Sequence, residues 1–248
     1  MDGSFKVNSA GLELPEPDFS LDNGAVGWKA VEQGSWEWLM LRAGVPTASE
    51  LASVLVKGKG ANGLGAGALT YAHTLAAEIL IGGPVSTFTG NAHTERGHEM
   101  EPELVDNYSL LKGVDLEKVG FIRRGRFGLS PDRLVVGMKR ALEVKAPQAP
   151  KLIGIHRDPG FPSEYRAQCL GVLFGTDYEV IDLIAGARGL PDVIRTLDHD
   201  AAYKEVQEIP DALERFVAYL DDTVSFIRHI AGDGPDAAAM AAALPSSE

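Results

Sequence analysis

Asp132, Glu143 and Lys145 are the residues whose types and spacing could do chemistry together. Two carboxylates held close offer the hard oxygen ligands that Mg²⁺ takes while keeping several of its waters. A lysine beside them can orient or deprotonate a metal-bound water for attack on phosphorus. The local sequence brings the three to one place. Residues 134–136 (LVV) form an apolar run, 137–140 (GMKR) are polar and turn-like, and 141–144 (ALEV) are apolar again, which predicts two strands meeting at a turn. Pro147 ends the second strand because proline has no N–H for a ladder. Alternation along that strand puts Glu143 and Lys145 on one face and turns Leu142 and Val144 into the core. Asp132, just before the first strand, then lies at the same end of the sheet. By itself the Asp…Glu-x-Lys pattern also describes a solvated surface hairpin with an ordinary Glu/Lys pair.

The elements that must hold these residues follow from the rest of the chain. Residues 1–25 read as an irregular arm and 28–41 as an amphipathic helix interrupted near Gly34. Thr47 and Glu50 form a capping box that starts a helix running to about Val54. Residues 57–67 (KGKGANGLGAG) make a flexible glycine-rich loop, since the Gly-Lys-Ser/Thr ending of a phosphate-cradling P-loop is missing. Further helices are expected at 69–81, at 94–111 with His98, Glu99, Glu101 and Glu103, and at 163–174, where Tyr165 and Gln168 share a face. Strands are expected at 119–126 and 178–184. Residues 201–230 predict a long helix kinked or broken at Pro210, and 233–248 a disordered tail. The expected organisation is one α/β domain over 1–232 followed by that tail.

Composition narrows the classes. The chain has 248 residues, 45% hydrophobic and 23% charged, ample for a globular core. Its single cysteine, Cys169, excludes a disulfide scaffold, a cysteine zinc site and a four-cysteine iron–sulfur cluster. No apolar run approaches a membrane span and no signal peptide is evident, which implies an intracellular protein. The net charge of −12 argues against a protein that coats nucleic acid non-specifically. It leaves room for an enzyme that gathers its few cations in a channel and uses its acids for metal.

Six stretches, in order, resemble one family: 38–50 (WLMLRAGVPTASE), 69–78 (LTYAHTLAAE), 97–101 (GHEME), 129–133 (LSPDR), 142–147 (LEVKAP) and 165–168 (YRAQ). The chain resembles the phage lambda-type 5′-to-3′ exonucleases, the alkaline-exonuclease and viral-recombinase branch of the PD-(D/E)xK nuclease superfamily. The likeness covers residues 28–180. It implies a restriction-endonuclease-like α/β core, a small mixed sheet flanked by helices, with added N-terminal helices. Asp132 and Glu143 resemble the metal-binding carboxylates, with the Val144 carbonyl a further ligand and Glu101 completing the acidic site towards a second Mg²⁺; Mn²⁺ can substitute. Lys145 resembles the catalytic lysine, and Gln168, with Tyr165 nearby, the helix residue that orients the water or the scissile phosphate. Arg42, Ser49 and Ser130 resemble the pocket for the 5′-terminal phosphate. An arginine that assists there in the family is replaced by Lys151, a point charge without a fork.

The resemblance implies an enzyme that removes 5′-mononucleotides from linear duplex DNA ends and leaves 3′ overhangs. It further implies a homotrimeric ring around DNA, a single-strand-annealing recombinase as partner, no membrane association, and a place in the cytoplasm of a bacterial host of a phage or prophage. Three alternatives from two classes, enzyme and non-enzyme, stand beside it. One is a restriction-like or structure-specific endonuclease on the same core; the others are a non-catalytic DNA-end-binding module and a plain acidic interaction protein.

Overall fold

The computed structural model describes residues 14–60, 62–85 and 92–233. Its organising element is a five-stranded mixed sheet in the order β3-β6-β7-β8-β9. The strands are β3 (Leu116–Glu117), β6 (Arg133–Val135), β7 (Arg140–Lys145), β8 (Val180–Ala185) and β9 (Val193–Asp198). β6 and β7 form the expected hairpin, with Arg133 opposite Leu142 and Leu134 opposite Ala141. β7 then pairs in parallel with β8, through a crossover made of α5 (Ala149–Arg157) and α6 (Ser163–Gly175).

β7 is thus the central strand, and both of its faces are covered. On one face Leu142 packs with Leu104 and Tyr108 of α4 (Ala92–Lys112). On the other, Ala141 packs with Cys169, Leu170 and Leu173 of α6 and with the apolar stripe of α7 (Tyr203–Asp233). This corrects the expected alternation of buried and open faces. Glu143 is 1% exposed, as buried as Leu142, because it lies beneath α6.

A second, antiparallel sheet runs β1-β2-β4-β5, from β1 (Phe19–Ser20), β2 (Val26–Trp28), β4 (Phe121–Arg124) and β5 (Phe127–Leu129). It replaces part of the expected irregular arm and the start of the expected 28–41 helix. The helix there is only α1 (Trp36–Arg42), which Ser35 caps by accepting from the Trp38 N–H. Gly128 in β5 has no room for a side chain, since a Cβ would sit 2.3 Å from the Phe121 ring. Its N–H donates to the Pro46 carbonyl at 2.9 Å, which pins the following turn to this sheet.

That turn differs from the expected capped helix. Ala48–Glu50 form a single 3-10 turn, leading into the short α2 (Leu51–Leu55), and neither Thr47 nor Glu50 makes a side-chain cap. The Thr47 hydroxyl is drawn to its tertiary neighbours Ser49 and Tyr71. Against the turn lies Gly171 of α6, where a Cβ would meet that of Ala48 at 2.8 Å.

α3 (Ala66–Ile81) packs along α7. α7 runs through Pro210 in one piece, because Val206, Ile209, Leu213 and Phe216 on either side keep one apolar stripe against the core. The 57–67 loop is closed by a bridge between Lys57 and Leu64, with Ala61 outside the described residues. α5, β3 and β9 were not anticipated. The expected tail beyond Asp233 lies outside the described residues.

Candidate active site

The β6–β7 hairpin brings its three chemical residues together. β6 ends its pairing at Arg133, and the next free donor on β7, the Val144 N–H, goes to the Asp132 carboxylate at 2.6 Å. The side chain of Asp132 thereby continues the ladder that the backbone leaves off. Glu143 Oε1 accepts from Lys145 Nζ and from Gln168 Nε2 of α6, each at 2.5 Å. Glu143 Oε2 is buried and has no hydrogen-bond partner among the described residues. A buried carboxylate oxygen without a donor is costly, and a cation is the natural group to satisfy it.

The electrostatics agree. Burial, reinforced by the charge of Glu143, pushes the Asp132 carboxyl up to about 8. Burial alone would lower the Lys145 pKa, but Glu143 and Asp132 outweigh it, so the net direction is upward and the ammonium stays charged. Burial raises the Cys169 thiol, which makes it a packing residue rather than a nucleophile. Tyr165 lies beneath two lysines, with Lys145 Nζ 5.7 Å and Lys151 Nζ 5.0 Å from its ring centre.

Glu101, on α4, is held by Arg133 at 2.8 Å. Both line a cleft of about 340 Å³ with Asp132, Gln33, Lys29 and Lys118. Among the described residues, no group of three His, Cys, Asp or Glu side chains is placed to hold one metal ion. The acidic residues are therefore a close pair, Asp132 and Glu143, and a third member with its own cation. The side chain of His98 lies outside the described residues.

A second cluster forms around Arg42. Its Nη2 donates to Thr47 Oγ1 at 3.4 Å and to Ser49 Oγ at 3.3 Å, and its guanidinium stacks 4.2 Å over the Trp38 ring. Trp38 Nε1 in turn donates to Ser130 Oγ at 3.0 Å. Arg42, Ser49 and Ser130 are thus brought together, with Trp38 as the link. Burial lowers the Arg42 pKa from its ordinary value, while Tyr71, Glu78 and Glu50 oppose the shift. The cluster opens on a cleft of about 720 Å³ that Tyr71, Glu78 and Thr70 also line.

Lys151, on α5, is bridged to Glu164 at 3.1 Å and lies over the same Tyr165 ring as Lys145. The residues that sequence reasoning passed over are Trp38, Thr47, Tyr71 and Arg133. All four lie inside stretches singled out for other members, so their positions were visible although their contacts were not.

Comparison with known proteins places this geometry. Over about 80% of the chain and 99% of the other, it matches an alkaline exonuclease, LHK-Exo, from Laribacter hongkongensis, with 26% identity and a TM-score of 0.69. The same enzyme in complex with dAMP matches with a TM-score of 0.70, at 26% identity and the same coverage. A phage-related exonuclease from Haemophilus somnus 129PT, at 18% identity and a TM-score of 0.59 over 74% of this chain and 96% of that one, shares the fold. No curated protein matches. The mixed sheet flanked by helices is the PD-(D/E)xK-like core expected from the resemblance. The model of the YqaJ-like viral recombinase domain matches residues 37–179, more than half of the chain, and the chain belongs to that family.

Proposed function

We propose that this chain is a metal-dependent 5′-to-3′ exonuclease that degrades one strand of linear duplex DNA to 5′-mononucleotides and leaves 3′ overhangs. The observation that carries the reading is the nearness of two clusters along one short segment. Ser130, tied through Trp38 to Arg42, lies two residues before Asp132, whose carboxylate is tied to β7. An anion-gripping cluster of this kind suits a terminal phosphate, and the acidic pair suits the next phosphodiester. That the solved relative LHK-Exo is an alkaline exonuclease with a dAMP complex supports the reading.

Asp132, Glu143 and the Val144 carbonyl would hold the divalent ion, and the unpartnered Glu143 Oε2 is the observation that fits them to it. When bound, Mg²⁺ or Mn²⁺ supplies Lewis-acid polarisation of the phosphoryl group and a more acidic water. The chain's own residues do the rest. Arg42 clamps the terminal phosphate with its planar fork, aided by the Ser49 and Ser130 hydroxyls. Trp38 beneath the guanidinium fixes the plane of that fork. Lys145, a charged donor beside the acidic pair, holds the attacking water or a phosphoryl oxygen in line. Gln168 keeps Glu143 in place, so its carboxylate presents the free oxygen to the ion. Tyr165 supports Lys145 and Lys151 from below.

The reading takes residues 1–232 as one nuclease domain and extends to a homotrimeric ring around DNA, a single-strand-annealing recombinase partner, and action in the cytoplasm of a bacterial host on phage or prophage DNA. The test is a linear duplex with a 5′ phosphate or a 5′ hydroxyl, each strand labelled, with Mg²⁺ or with EDTA. Mg²⁺-dependent release of mononucleotides from the 5′ strand, faster from the phosphorylated end, is expected. Internal fragments from a closed circle would make the chain an endonuclease. No digestion of any form would sink the exonuclease reading and leave the non-catalytic alternatives.

A further inference from the structure

The Asp132 segment carries a residue for which neither the acidic pair nor the phosphate cluster accounts. Arg133 is charged, only 8% exposed, and placed between the sheet and α4. Its Nη1 donates to the Asp132 backbone carbonyl at 2.6 Å and meets Glu101 Oε1 at 2.8 Å. The side chain is pinned at its own strand and reaches the helix from there. A charged group this buried persists only when it is paired, and its partner is Glu101.

We propose that Arg133 fills the place beside Glu101 that a second divalent cation would otherwise take, so that this chain holds its metal on Asp132 and Glu143 alone. The inference rests on the proposed metal-dependent reading and deepens it. Three observations carry it. Glu101 already has a fixed cation at ion-pair distance. Glu101 also shares a cleft with Asp132, yet among the described residues no three acids are placed to hold one ion. Within this cluster the buried carboxylate oxygen that lacks a partner among the described residues is Glu143 Oε2. Charge balance points the same way. Three carboxylates, Asp132, Glu143 and Glu101, face the two cations Lys145 and Arg133. One divalent ion takes this group one charge past neutral; a second would leave three positive charges together, a costly arrangement at low dielectric. Arg133 is then a positioning residue that supplies a permanent positive charge beside Glu101, and Glu101 serves to hold it.

The test counts ions on the full chain with Mn²⁺ as the probe, by calorimetric titration and by the electron paramagnetic resonance signal of free Mn²⁺. The wild type is expected to take about one ion per chain, Glu101→Gln to shift its apparent Kd less than about twofold, and Asp132→Asn to weaken it more than about tenfold. Arg133→Met frees Glu101 and is expected to add a second, weaker Mn²⁺ that the double variant Arg133→Met/Glu101→Gln lacks. Two ions on the wild type, or a loss with Glu101→Gln as large as with Asp132→Asn, would overturn the inference and leave the acidic-pair reading standing. Unchanged binding in Asp132→Asn would overturn both. Should Arg133→Met not fold, the wild-type count and the Glu101→Gln shift decide alone.

Discussion

Arg42→Ala tests the end-phosphate cluster by what it does to one ratio. The perturbation removes the guanidinium that stacks on Trp38 and reaches Ser49 and Thr47, and it leaves the acidic pair on β7 untouched. A hydrogen bond to a charged group contributes about 1.5–3 kcal/mol. A fork making two such bonds to a phosphate, discounted for the solvent that reaches an open cleft, contributes about 3 kcal/mol. That is roughly 150-fold in kcat/KM, since 1.36 kcal/mol is tenfold. The loss should fall on the substrate that carries the phosphate. Wild-type protein should therefore prefer a 5′-phosphorylated duplex over a 5′-hydroxyl one by about two decades, and Arg42→Ala should bring the ratio near unity. Arg42→Lys keeps a charge but neither the fork nor the stack, so it should recover part of the preference. The assay is initial mononucleotide release from both substrates, with melting temperature as a check on folding. An equal fall on both substrates would show that Arg42 acts on packing or on DNA in general, and the argument for an end-dependent enzyme would be wrong.

Lys145→Met should lower kcat by about 10²–10⁴ with little change in binding of a 5′-phosphorylated end, measured by fluorescence anisotropy in EDTA; a loss of binding of the same size would move Lys145 out of the chemical step. Asp182, fully buried, accepts from Tyr108, Arg140 and Thr196. Asp182→Ala leaves these donors unmatched and should cost about 3 kcal/mol in urea unfolding, since breaking a buried pair is expensive; a change under about 0.5 kcal/mol would show the network to be solvated. The raised Asp132 pKa fixes a sign for pH. With a folded-state value of about 8 against 3.8 unfolded, the folded protein binds the extra proton in between, so the contribution of this group to metal-free stability is full below pH 4 and lost as pH rises towards 8. Cation binding must displace that proton, so apparent Mn²⁺ affinity should rise with pH up to about 8 and then level. Calorimetry in two buffers of different ionisation enthalpy should show proton release at pH 7, and none there would refute the assignment.

How much of this was legible in the sequence depends on the range of each interaction. The β6–β7 hairpin was, because its signals are local: an apolar run, a turn and a proline stop. The capping box at Thr47 and Glu50 was a sound local expectation that lost to tertiary contacts. The turn is held by Gly128 from β5 and lies against Gly171 of α6, and there the Thr47 hydroxyl meets Tyr71 and Arg42 rather than the turn's own N–H groups. The same competition explains Glu143. Period-two alternation promises one wet face only when one side of the sheet is open, and β7 is central, with α4 and α6 on its two sides. Lys151 shows what matching positions leave out: its place in the sequence suited the phosphate cluster, but its contacts to Glu164 and Tyr165 were not legible there. Arg133 shows the converse. It sits next to the most conspicuous acid in the chain, but nothing local announces its partner, which is 32 residues away on α4. A basic residue directly after Asp132 would either repel a cation at the acidic pair or pair with another acid nearby. The 2.8 Å contact to Glu101 and the anchor on the Asp132 carbonyl show the second, since the guanidinium meets Glu101 without occupying the unpartnered Glu143 oxygen.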